Sequence, residues 1–479
     1  MSAEPVARAA GPVDRTALRV AIAVLVGSFP SVLGTTTVSV GLHELSRDLG
    51  VGVDEVSWVT TAYLLAICVA VPVVGWLQSV VGGRRLWLLA LGLFMVGSVL
   101  CALAWSAGSL ICARVAQGLG AGVMMPLLTT LLIQATPVAD RARVTSVVAL
   151  TTALGPVLGP VVGGLVLGVA DWRWLFWINL PLGLAGMVVA WWLIPRDRPE
   201  GRGRLDVVGL CLLPPALFGL VWGLTNVAAS DEERVGRVGV PILVGAVLLS
   251  AFVGWARRRG GAALVDVRVL RSRPTWAATV VLFLSGAVVH GAMLLLPLSW
   301  QELRGTDALG AGLLLIPQGV GALLSRVVAL RLLAARGPRT VAVVGFTLTA
   351  VATAPFALLG TGAGAVLLGV VLLVRGLGVG MVVVPLMAVA FDGLDHDEVP
   401  HASIVIRVGQ QLGGSFGVAL LAVVVTAGTA AGGSASAGFT LAFWGATAIA
   451  VLAVIASVAL PGRPAVRPAG AGREAVSPG

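Results

Sequence analysis

Residues 117–122 read Gln-Gly-Leu-Gly-Ala-Gly and lead to Pro126, while residues 375–380 read Arg-Gly-Leu-Gly-Val-Gly and lead to Pro385. Gly155, Gly159 and Gly163 recur 254 residues on as Gly409, Gly413 and Gly417. Two matches in the same order, at offsets of 258 and 254 residues, outweigh chance, even in a chain holding 63 glycines. Reading apolar runs against charged breaks gives fourteen helical segments: 17–42, 55–79, 86–105, 108–134, 143–170, 174–195, 206–228, 238–257, 276–298, 308–334, 340–360, 363–389, 401–429 and 437–460. The repeat joins the fourth and fifth to the twelfth and thirteenth. A shift of eight segments rather than six predicts a six-helix half, two inserted helices and a second six-helix half. The implied divisions are a tail 1–16, a half 17–195, an insert 196–275, a half 276–460 and a tail 461–479. Parallel halves with a site between them are the build of secondary transporters.

Composition agrees. Of 479 residues, 58% are apolar and 11% charged, with a mean hydropathy of +1.00. Soluble domains average about 25% charged, so a soluble enzyme and a disordered chain are both excluded. The expected fold is an all-α polytopic membrane protein of fourteen transmembrane helices. The net charge is +10, and all 32 basic residues are arginine. Nucleic acid is not the implied partner, because the arginines sit in short loops. With the N-terminus inside, 23 of the 32 fall on the cytoplasmic side, five outside and four in helices. That bias predicts both termini in the cytoplasm of a bacterial cell membrane. Cys68, Cys101, Cys112 and Cys211 lie in apolar runs without ligand spacing and read as core residues.

Within the spans, chemistry-bearing residues are few. Arg114, Gly118, Gly122 and Pro126 share one i+4 stripe of the fourth segment. An arginine in a span costs about 2.5–3.5 kcal/mol on insertion scales, so Arg114 should face the bundle interior or water. Gln117 lies one turn on, and Arg375 takes its place in the second copy. In the fifth segment, Gly155, Gly159 and Gly163 form one stripe, with Pro156, Pro160 and Gly164 beside it. Such a stripe is either a plain packing face or a bent helix between two moving halves. His290 stands near the middle of the ninth segment, Tyr63 is a cavity candidate, and Gln318, Gln410 and Gln411 are cavity donors or packing glue.

These residues resemble the major facilitator superfamily, in its fourteen-helix drug:proton antiporter (EmrB/QacA-type) branch. Arg114 with Gln117 and Gly118 resembles the helix-4 motif, and Gly155 to Gly164 the antiporter motif. The most specific match is Trp172-Arg173-Trp174-Leu175-Phe176-Trp177-Ile178-Asn179-Leu180-Pro181-Leu182-Gly183. Further matches are Trp58 to Leu65 with Tyr63 inside, Leu205-Asp206-Val207-Val208-Gly209, and Gln411 to Gly414. The resemblance implies export of small amphipathic molecules by alternating access. It also implies a cytoplasmic gate, here Gly75, Gly82, Arg84 and Arg85. The departures are acidic positions: Ser79 in that gate, Ala334 in its repeat, and Gly34 in the first segment.

None of the 22 acidic residues falls mid-span. Proton coupling, which the resemblance implies, must then use His290 or helix-end acids such as Asp206 and Asp392. An uncoupled facilitator or importer is the alternative. A polytopic membrane enzyme acting on lipid is a third reading, but His43, His290, His396 and His401 are too dispersed to build its site. No Walker lysine loop or HExxH appears, so no cofactor, metal or ATP chemistry is expected. The chain is expected to work as a monomer on a small amphipathic substrate in the lipid bilayer, with protons as partner.

Overall fold

A computed structural model of the chain describes residues 15–34, 36–136, 155, 158–195, 205–226, 235–358, 364–392, 394, 398–430 and 434–462. Pro156, the acids Asp231 to Glu233, and His396 with Asp395 and Asp397 lie outside the described residues. The first six segments become α1 (Arg15–Gly34), α2 (Val38–Leu49), α3 (Val53–Ala70), α4 (Val74–Val81), α5 (Gly83–Ala102), α6 (Ala107–Ala135), α7 (Leu158–Leu167), α8 (Trp174–Trp177) and α9 (Asn179–Leu193). Then come α10 (Val207–Thr225) and α11 (Val240–Arg259), with one π turn (Val235–Gly239) before α11. The rest are α12 (Arg273–Arg304), α13 (Ala308–Leu314), α14 (Ile316–Arg336), α15 (Pro338–Leu358), α16 (Ala365–Ala390), α17 (Val399–Ala430) and α18 (Ala435–Ser457).

Twelve helical stretches among the described residues are long and apolar enough to cross a bilayer, and α1 with α2, bent by 44°, makes a thirteenth. The fifth segment contributes only α7, so fourteen crossings are not reached among the described residues. Backbone groups in lipid must be satisfied internally, and helices alone do so within one segment.

The first segment corrects its expected span. It does not run unbroken over 17–42: Thr36 and Thr37 form a turn, and α2 continues to Leu49. Hydroxyls repair the break. Thr37 Oγ1 donates to Leu33 O at 2.7 Å, and Ser39 Oγ to Thr36 O at 2.6 Å. The second segment is interrupted by a 3₁₀ turn at Val71–Val73, where Pro72 cannot donate. The cysteines divide: Cys68 and Cys101 are core residues, but Cys112 and Cys211 are exposed, because each falls on the outer side of its helix.

The same helix pairings occur twice. α6 packs on α3 and α5, and α9 on α1 and α5; α16 packs on α14 and α15, and α18 on α12 and α15. The two groups meet where α3 lies along α17 and where α2 meets α12 and α13. α10 and α11 pair with each other, and α10 lies against α3 and α17, over that seam. Trp58 of α3 meets Phe218 and Trp222 of α10 with ring centroids 5.8 and 5.5 Å apart. The bundle therefore has a terminal end, where Gly82 and Gly337 turn, and a far end, where Gly50 and Gly305 turn.

Candidate functional site

Arg114 is wholly buried in α6. Its Nε donates to Val59 O at 2.9 Å, and Nη1 and Nη2 reach Gly34 O at 3.3 and 3.4 Å. Nη1 also donates to Gln117 Oε1, and the guanidinium lies 3.9 Å from the Tyr63 ring centroid. Gln117 Nε2 in turn donates to Ser98 Oγ at 2.7 Å, which Asn179 Nδ2 approaches at 3.4 Å. Gly34 ends α1, so its carbonyl is one the helix cannot satisfy. A guanidinium, with five donors and no acceptor, suits such an end. Arg114 thus binds the broken first segment to α3 and α6 without a carboxylate partner among the described residues.

Arg375 repeats the device in α16. Nη2 donates to Val288 O at 3.0 Å, Nη1 to Gln318 Oε1 at 2.7 Å, and Nε to Thr353 Oγ1 at 3.2 Å. Gly34 and Val288 stand 254 residues apart, the offset of the glycine stripes. Close approach is glycine-dependent: a Cβ at Gly118 would stand 2.6 Å from Tyr63 O, and one at Gly376 would overlap Gln318 O. Tyr63 sets its ring against Arg114 and donates its hydroxyl to Ser31 O at 3.3 Å, while Gln318 Oε1 accepts from Arg375. Gln410 and Gln411 on α17 keep partial exposure.

The antiporter stripe packs on the break. A Cβ at Gly155 would meet Val32, one at Gly159 would meet Thr36, and one at Gly163 would stand 2.7 Å from Thr37 O. Thr36 Oγ1 donates to Gly155 O at 3.1 Å. The neighbouring stripe faces the other group: a Cβ at Gly164 would stand 2.7 Å from Ala308 O, and Pro160 O lies against Gly312. α7 is thus wedged between the hinge of its own group and α13 of the other.

His290 Nδ1 lies 3.1 Å from Gly286 O. A carbonyl only accepts, so Nδ1 carries the hydrogen and Nε2 keeps the lone pair. The ring meets Gly414 of α17 and Leu64 of α3 at one point: a Cβ at Gly414 would stand 2.8 Å from Nδ1 and 3.3 Å from Leu64 Cδ1.

At the terminal end, Gly82 and Gly337 have φ of 87° and 82°, which glycine adopts without strain. Arg84 donates to Trp191 O and lies 5.0 Å from its ring, while Arg339 Nε donates to Leu460 O at 2.6 Å. Gly75 and Arg85 are exposed, and Ser79 Oγ turns back to Trp76 O at 2.8 Å. These turn arginines grip carbonyls, so the turns hold without the acids missing at Ser79 and Ala334.

Asp206 takes a structural part rather than the carrier role open to it from sequence. It accepts from Leu264 N, Gly209 N and Trp255 Nε1 at 2.9, 3.1 and 2.9 Å, with Arg259 at 3.9 Å. Burial pushes its carboxyl up, but those hydrogen bonds and the Arg259 charge outweigh it and hold it below the usual carboxylate range. It stays ionised at neutral pH.

Sequence reasoning missed the far-end closure. Gln301 Nε2 of α12 donates to Val40 O of α2 at 2.8 Å, and His43 Nδ1 lies 3.8 Å from Glu302 Oε1. The signal was the polar Gln301–Glu302 pair, which reads as a loop but lies on a helix running past the expected limit of 298.

A repeated bundle of apolar helices, closed across its seam at one end, defines a polytopic membrane transporter. The chain belongs to the Major Facilitator Superfamily, whose family model matches residues 24–418. It is 34% identical over 412 residues, 85% of this chain and 76% of the relative, to a protein of Mycobacterium tuberculosis named multidrug resistance protein B homolog. It is 26% identical over 404 residues, 84% of this chain and 85% of the relative, to lincomycin resistance protein LmrB of Listeria monocytogenes. A solved D-xylose-proton symporter shares the fold with a TM-score of 0.66, at 14% identity, over 93% of this chain and 98% of that one. The chain is a multi-pass transporter of a small-molecule substrate and not an enzyme, so the lipid-enzyme reading falls.

Proposed function

We propose that this protein is a secondary-active exporter of small amphipathic organic compounds, working as a monomer by alternating access and without ATP. The drug-resistance names of its relatives support the substrate class. The observation that carries the mechanism is the far-end closure of α2 on α12, through Gln301 and Val40, while the α17 face that includes Gln410 and Gln411 keeps partial exposure nearer the terminal end. One end closed and the other loosened is what alternating access requires. On this reading the chain has fourteen spans, with halves 17–195 and 276–460 around the insert 196–275. Both termini lie in the cytoplasm of a bacterial cell, and the far end faces out.

The roles follow. Arg114, Gln117 and Arg375 hold the paired first helices, and the Gly155–Gly164 stripe carries the rocking contact. Gly75, Gly82, Arg84 and Arg85 form the cytoplasmic gate, and Gln410 and Gln411 meet substrate. His290, with its free Nε2 at the seam, exchanges the proton. Dye efflux measured in inside-out vesicles under an imposed pH gradient tests this. Gradient-driven accumulation is expected, and accumulation indifferent to the gradient replaces the antiporter with an uncoupled facilitator. The neutral residues Gly34, Ser79 and Ala334 at acidic positions favour that second reading.

A further inference from the structure

Two intramembrane arginines remain, Arg326 in α14 and Arg407, and of these Arg326 has a partner. Arg407 lies in α17, eight residues from the helix start, or about 12 Å into the span. Arg114 and Arg375 spend their donors on carbonyls, an amide and a hydroxyl, whereas Arg407 makes no hydrogen bond or ion pair with a described residue. A charge kept in a span without a partner is costly, and such residues mark ligand paths.

Its direction follows from the helix. Gly414 stands seven residues on, two turns along the same face, and Gly414 is where His290 and Leu64 converge. Phe416 lies on the opposite side of α17, with its ring centroid 5.8 Å from that of Phe283. Arg407 therefore points into the seam between the two repeats. Along that face Gly414 is buried, whereas Gln411, Gln410, Arg407 and Ser403 keep partial exposure toward the terminal end. The seam there holds a positive fork beside two amide side chains, next to the point where Cys68 Sγ of α3 approaches Val408 O at 3.7 Å. No carboxylate among the described residues makes an ion pair with it.

We infer that Arg407 recognises an acidic group on the transported compound, so that organic anions carrying a carboxylate or sulfonate are handled and lipophilic cations are disfavoured. The planar guanidinium offers paired N–H donors to such a group, and Gln410 and Gln411 add neutral ones. This rests on the export reading above.

The test uses two probes of one shape, the sulfonate 1-anilinonaphthalene-8-sulfonate and the neutral N-phenyl-1-naphthylamine. Their uptake is measured in inside-out vesicles holding the full chain. Arg407→Gln is expected to raise the KM for the sulfonate about tenfold or more, the size of one lost charge-assisted contact, and to leave the neutral probe within about twofold. Arg407→Lys, which keeps the charge, should recover most of the sulfonate transport. Equal change for both probes, no change for either, or a wild type that moves only the neutral probe overturns the inference and leaves export standing. A wild type that moves neither probe above empty vesicles overturns the export reading itself.

Discussion

The two repeats hold their first helices with the same tool and to different ends. In the N-terminal repeat Arg114 grips Gly34 O, the last carbonyl before a bend of 44°. In the C-terminal repeat Arg375 grips Val288 O within α12, which runs unbroken from Arg273 to Arg304. Thr36, beside the break, corresponds at the 254-residue offset to His290 in the intact helix. Helix packing differs as well. Gly159 lies against Thr36, but its repeat partner Gly413 lies against Phe283, which corresponds to Phe29. α7 thus sits two turns nearer the far end of its first helix than α17 does. One repeat has placed a hinge under its glycine stripe, and the other keeps a straight helix carrying a titratable ring. Duplication supplied the frame, and divergence left a bend in one copy and a histidine ring in the other.

The largest effect should come from removing the clamp on the hinge. Arg114→Ala strands Gly34 O and Gln117 Oε1, and hydrogen bonds to charged groups contribute about 1.5–3 kcal/mol each. Efflux should be lost while membrane abundance stays near wild type. Equal loss of abundance and efflux would reduce Arg114 to a folding role. Arg375→Ala should slow efflux less, because α12 has no break to hold.

Next in size is the stripe. Gly163→Val pushes a side chain into Thr37 O and should cut efflux severely. Gly409→Ala meets only the Thr279 methyl at 3.1 Å and should cost little. Similar losses at both would erase the distinction between hinge and straight helix.

On the proposed carrier role, His290→Ala should flatten the dependence of efflux on the pH gradient while leaving substrate affinity within about twofold. Gly34→Asp, restoring an acid beside the hinge, should keep transport or steepen that dependence. A wild type with steep dependence that His290→Ala does not alter removes His290 as the carrier.

The smallest effect belongs outside both repeats. Asp206 has a carboxyl held below its ordinary value, so its contribution is present above about pH 4 and is lost only as pH falls through the lowered value. Asp206→Asn should therefore lower the melting temperature by a few degrees across pH 5–8, with the pH profile of efflux unchanged. A shifted efflux profile would return Asp206 to the list of carriers.

Much of this was legible. The fourth segment was expected over 108–134 and forms Ala107–Ala135, because an apolar run between charged loops has clear edges. The repeat was legible because the glycines that let helices touch keep their spacing within each helix. The hinge was not, since Thr36, Thr37 and Ser39 satisfy the local backbone with their own hydroxyls and no proline stands at the break. Tyr63 reads as a cavity group because its partner, Arg114, lies 51 residues away and only packing brings the two together. Half of the six acceptor atoms of the two buried arginines are main-chain carbonyls, which every residue carries and no motif records. The helices that run past their expected limits, to Arg304 and Leu49, are polar at their ends and look like loops until the far-end contacts are seen.

The turn arginines have a mechanical consequence. Arg84 fastens the hairpin between the second and third segments to the end of α9, and Arg339 fastens the matching hairpin to the chain just past α18. Each repeat is thereby clasped like a bracelet, an early link tied to its last. A clasped ring transmits a push at one rim to the other instead of absorbing it as shape change. The stiffness of each repeat, and with it the leverage between the two ends of the bundle, then depends on two side chains that never touch the cargo.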